Sequence, residues 1–74
     1  MQAFRISTGK PVAKGDAISA RRNGKWQRAT FVSVIDVSFA EGIFDGDLIV
    51  RFEGVDCESF VRPNAAHDIM VRSR

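Results

Sequence analysis

The chain holds one cysteine, Cys57, and one histidine, His67, ten residues apart. A thiol and an imidazole can form a nucleophile and its base, but no nucleophile motif surrounds Cys57. A lone cysteine cannot close an internal disulfide, and one cysteine with one histidine falls short of the four ligands of a zinc site. The sequence contains neither a Walker sequence nor GxGxxG, the loops that cradle phosphates. The carboxylates Asp45, Asp47, Asp56 and Glu58 lie beside turn residues, without the ligand ladder of a calcium loop. An acid pair for glycoside hydrolysis would need a cleft that 74 residues hardly permit. The sequence thus reads as a module without catalytic residues, metal or cofactor.

The chemistry that does stand out is ionic and aromatic. Arg21, Arg22, Lys25 and Arg28 form the densest basic stretch, with the single tryptophan, Trp26, among them. Guanidinium and ammonium groups neutralise phosphates, and an aromatic ring between them can stack on a base. Net charge is only +2, but it is unevenly placed. Residues 1–35 carry seven basic residues against one acid, Asp16, whereas residues 36–74 carry four basic residues against eight acids. This asymmetry suits an anionic partner; a solvated hairpin that keeps the protein soluble is the alternative.

These residues need strands to hold them. Asp16–Arg22 is short and partly alternating, and Asn23–Gly24 follows as a hairpin signal, since a type I′ turn needs positive φ at both central residues. Trp26–Val37 is rich in β-branched and aromatic residues. Phe31, Ser33 and Ile35 are expected on one face, and Thr30, Val32 and Val34 on the other. A long connection, 36–46, carries Phe39, Ile43 and Phe44. Asp47–Phe52 is the clearest strand, Glu58–Val61 a short one, Pro63–Ala66 one helical turn, and Ile69–Val71 a closing strand. Residues 1–14 are expected to be a loosely ordered lead-in, with at most a short strand at Ala3–Ile6, and residues 15–74 the domain. The expected fold is mainly β, a five-stranded antiparallel SH3-like small barrel, because a flat sheet this small would leave two open edges. No apolar run approaches the roughly 20 residues of a membrane span. An intracellular protein, or a fragment of one, is expected, and a monomer.

In order, GDAISARRNGKWQRATFVSV, a variable loop, LIVRFEGVDCESFV and a closing DIMV resemble a Tudor domain. The narrower similarity is to the chromo-barrel (Tudor-knot) type of MYST-type histone acetyltransferases. It covers roughly Gly15–Val71. It rests on GD opening the first barrel strand, W-x-x-A in the second, V-x-F-x-G closing the third and an aromatic–Val pair in the fourth. Ile18, Ala20, Phe31, Val50 and Val61 would fill the interior. The resemblance implies a nuclear, chromatin-associated binding module, non-catalytic even within a larger enzyme.

Such domains often hold a methylated lysine or arginine of a histone tail in an aromatic cage, by cation–π attraction. Carried over, the cage positions fall at Phe52, at Val55 in the turn after it, near Arg22 in the first loop and near Gln27 at the second strand. Trp26 lies beside the last of these, Phe60 matches the aromatic before valine, and Phe44 or Phe39 could add a ring. The cage candidates are therefore Trp26, Phe52, Phe60 and Phe44, an incomplete set. Three partners stay open: a histone-tail peptide, RNA or DNA on Arg21, Arg22, Lys25 and Arg28, or a docking protein on the sheet edge or the apolar loop. That loop could equally fold back and plug the barrel end.

Overall fold

The computed structural model describes residues 1–35 and 46–72. The long connection expected over 36–46 therefore lies almost wholly outside the described residues, together with Phe39, Ile43 and Phe44.

Six strands form, in chain order β1 (Gln2–Arg5), β2 (Ala17–Arg22), β3 (Lys25–Val34), β4 (Leu48–Phe52), β5 (Ser59–Val61) and β6 (Ile69–Arg72). A 3₁₀ turn, Ala65–His67, precedes β6. The strands make two antiparallel sheets: a four-stranded meander β2-β3-β4-β5 and a two-stranded ribbon β1-β6. The fold is thus mainly β, as expected, but the pairing does not close into one five-stranded ring.

The edges explain why. On β2, the N–H of Arg21 donates to Nε2 of His67 at 3.4 Å, and the Ala17 carbonyl accepts from Nη2 of Arg5 at 2.6 Å. On β1, the Ala3 carbonyl accepts from Val12 N–H, and Phe4 bridges to Pro11. Side chains and a short extended segment satisfy backbone groups that would otherwise seek a neighbouring strand.

The two sheets share one core. Ile18, Ala20, Ala29, Phe31, Leu48, Val50, Phe52 and Val61 come from the meander, and Ala3, Val12 and Ile69 from the other side. The five expected interior residues are all buried. The expected lead-in, residues 1–14, supplies β1, paired with β6 from Gln2↔Arg72 to Arg5↔Ile69, and two core side chains, Ala3 and Val12. Small apolar residues at those two positions let the segment seal the open side of the meander.

Local chemistry sets the rest. Asn23 and Gly24 take φ of 53° and 75°, and Arg22 pairs with Lys25 across the turn. That is the φ sign a type I′ hairpin requires. The alternation expected along β3 breaks at a bulge. Phe31 pairs with Val50 but Ser33 with Ile49, so Val32 is the extra residue. Beyond it the faces exchange, and Val34 opposite Leu48 packs against the core. The helical turn lies later than Pro63–Ala66, because Asn64 caps it: its Oδ1 accepts from His67 N–H at 3.0 Å. Asp68 ends it in the left-handed region, at φ 58°. Asp47 is buried and faces Arg62, with Nε 3.7 Å from Oδ1.

Candidate nucleic-acid interface on the outer sheet face

Strand parity sorts the candidate residues. Ile18 and Ala20 of β2, Ala29 and Phe31 of β3, and Val50 and Phe52 of β4 face the core. The outer face therefore carries Ala17, Ser19 and Arg21 from β2, Trp26, Arg28 and Thr30 from β3, and Arg51 from β4. The register places Arg21 opposite Trp26, Ser19 opposite Arg28 and Thr30 opposite Arg51.

Trp26 is 50% exposed, although large apolar rings in so small a domain are normally needed for packing. The ring is held from one side by His67, edge-to-face with centroids 5.5 Å apart and planes at 76°. His67 is itself fixed. Its Nδ1 lies 2.7 Å from the Arg62 carbonyl, and its Nε2 faces the Arg21 N–H. With Nε2 accepting from the Arg21 N–H, Nδ1 is the nitrogen that donates to the Arg62 carbonyl.

Arg21 donates from Nη2 to the Gly24 carbonyl at 3.4 Å and stays at the hairpin tip. Lys25 is exposed beside it. Arg28 lies two residues along β3 from Trp26, on the same face, and its guanidinium makes no hydrogen bond or ion pair with the described residues. Arg22 differs from the other three. It is on the core side, and its guanidinium sits over the Phe52 ring, 5.7 Å from the centroid.

The three cage candidates among the described residues do not gather. Phe52 is 2% exposed and belongs to the core. Phe60 is exposed and on the outer face, but it pairs with Ile49, which in turn pairs with Ser33. Ser33 lies seven residues along β3 from Trp26, about 20 Å at the rise of a strand. Phe44 lies outside the described residues. Val55, at the position usually aromatic, is half-buried against the core.

Two residues near Trp26 and Arg28 escape sequence reasoning, His67 and Arg5. With Ser19, they line a groove between β2 and the 3₁₀ turn. They come from opposite ends of the chain, so no local spacing could have announced them. Among the described residues no group of three or more His, Cys, Asp or Glu is placed to hold a metal ion. Cys57 is exposed, and both ring nitrogens of His67 face backbone groups. No helix among the described residues is long and apolar enough to cross a membrane.

Compared with known proteins, the chain matches no protein family, no curated protein and no solved structure.

Proposed function

We propose that this chain is a non-catalytic β module that binds RNA or DNA through the outer face of its β2–β3 hairpin. One observation carries the reading: the only tryptophan is half exposed on that face, with Arg21 opposite it and, two residues along, the guanidinium of Arg28, unpaired among the described residues. A ring in that position can stack on a base while the cations neutralise phosphates.

The methyl-lysine reading has less support. The ring that would form the heart of a cage, Phe52, is buried and already has a cation over it, the guanidinium of Arg22. In this proposal the fold is of the SH3-like, Tudor or chromo-barrel kind. The four-stranded meander, the single 3₁₀ turn and the return strand β6 beside β1 support that assignment. A chromatin-associated, nuclear protein is the setting that the sequence resemblance implies.

An amide-resolved NMR titration tests the proposal with three ligands in parallel: a short single-stranded RNA, a trimethyl-lysine histone peptide and the same peptide unmethylated. The RNA is expected to shift the amides of residues 21–28 and the Trp26 indole N–H, and added salt to reverse the shifts. Shifts with the methylated peptide alone would turn the assignment back to a histone-tail reader. Silence with all three ligands would move it to a protein-docking role.

A further inference from the structure

The groove beside Trp26 is built from three separate parts of the fold. Arg5 comes from the end of β1, Ser19 and Arg28 from a cross-strand pair of β2 and β3, and His67 from the 3₁₀ turn. It is open to solvent and holds about 460 Å³. Its floor is the outer edge of β2, where Arg5 is anchored by the Ala17 carbonyl. A guanidinium has five N–H donors, so this anchor leaves Arg5 with donors to offer. The Arg28 guanidinium makes no hydrogen bond or ion pair among the described residues, with Glu53 beside it on the β4 side. The one acid in the lining, Asp68, has both oxygens engaged: Oδ1 accepts from Ser7 N–H at 2.8 Å and Oδ2 from Ser7 Oγ–H at 2.6 Å.

We infer that this groove receives a backbone phosphate of a single-stranded nucleic acid, next to the base stacked on Trp26. The inference rests on the proposed function and deepens it, because it assigns the register of the strand on the face. Arg5 and Arg28 supply the charge and Ser19 a hydroxyl donor. His67 is a positioning residue: it packs edge-to-face with the Trp26 ring and ties the turn to β2. The charge complementarity is local, since two cations with free donors face one engaged carboxylate. The ligand is single-stranded because a tryptophan face can stack only on a base that is not already stacked within a duplex.

Fluorescence anisotropy with a labelled single-stranded oligonucleotide tests this on three variants of the whole chain. Ser19→Glu places a carboxylate in the groove and leaves the hairpin cations intact. Arg28→Gln removes the free guanidinium. Ala13→Glu makes the same charge change as Ser19→Glu at an exposed position outside the groove. The first two are expected to weaken binding about tenfold and the third less than about threefold, with amide dispersion showing that each is folded. If the wild type binds in a salt-sensitive way and Ser19→Glu binds as well as Ala13→Glu, the groove assignment is overturned while the face reading stands. If the wild type does not bind at all, both fall. The same oligonucleotide annealed to its complement is expected to bind at least about tenfold more weakly. Equal affinity would overturn the single-strand assignment.

Discussion

Asp68 shows how much one side chain can join in so small a protein. It ends the 3₁₀ turn with left-handed backbone, and its carboxylate reaches across to Ser7, 61 residues earlier, clamping the loop after β1 to the start of β6. The two hydrogen bonds from Ser7, side chain first and backbone second, lower its pKa from the usual carboxylate value, with Arg5 adding to the effect. A carboxylate whose folded pKa is depressed stabilises the fold fully above its unfolded value. That contribution is lost as pH falls through the folded value. Asp68→Asn tolerates the same backbone conformation without the charge. As pH falls through and below the usual carboxylate value of 3.8, the wild type is therefore expected to lose stability more steeply than Asp68→Asn, as read by thermal unfolding. Parallel curves would show that the clamp does not depend on ionisation. At this scale the sequence was informative about the core and about the hairpin residues Arg21, Lys25, Trp26 and Arg28, and silent about what is packed beside them. Ile18, Ala20, Phe31, Val50 and Val61 follow from strand parity and are buried. The contacts of His67 with Trp26 and Arg21, and the reach of Arg5 to Ala17, span tens of residues and leave no local pattern.

Elements were legible where their signals are short-range. Asn23–Gly24 specifies its turn because both residues accept positive φ cheaply, and Leu48–Phe52 declares itself by density of branched residues. The bulge at Val32 leaves no such mark, because Phe31, Val32, Ser33 and Val34 suit a strand in either register. β1 shows only faintly, as the short strand expected at Ala3–Ile6: QAFR is short and half polar, and its pairing with β6 leaves no local mark. Its contribution can be measured. Ala3 is buried against the core, so Ala3→Asp places an unpaired carboxylate there, at a cost of about 2–3 kcal/mol. For a domain of this length the expected fall in Tm is roughly 10–20 °C, read by circular dichroism. An unchanged Tm would mean that residues 1–14 are a detachable lead-in after all.

At the scale of the whole molecule, the basic half of the sequence gathers on the β2–β3 hairpin and the groove beside it. Of the seven basic residues before position 36, Arg5, Arg21, Lys25 and Arg28 lie on the hairpin or in the groove beside it. Glu53, Asp56 and Glu58 follow β4 and are exposed; the register brings Glu53 beside Arg28, its N–H donating to the Arg28 carbonyl at 3.0 Å, and Glu53 and Asp56 border Arg28 on its β4 side. A polyanion is drawn to the hairpin cations, and the acids on the β4 side of Arg28 oppose a path across the sheet, so it runs along β2 and β3 rather than toward Phe60. The sequence foretold the asymmetry and the β class. It did not foretell that the strands divide into two sheets, because that follows from which edges His67, Arg5 and Val12 occupy. The geometry limits how many phosphates the face can neutralise. Arg22 is turned to Phe52, which leaves Arg5, Arg21, Lys25 and Arg28, about three or four contacts. For single strands the slope of log K against log salt is about −0.7 per phosphate, so a slope between about −2 and −3 is expected. Arg28→Gln should make it shallower by about 0.7, whereas Arg22→Gln should leave it nearly unchanged and lower stability instead. Anisotropy titrations at several salt concentrations measure this directly. A slope near zero, or an equal loss of slope in both variants, would show that the hairpin charges do not act as the parity of the strands assigns them.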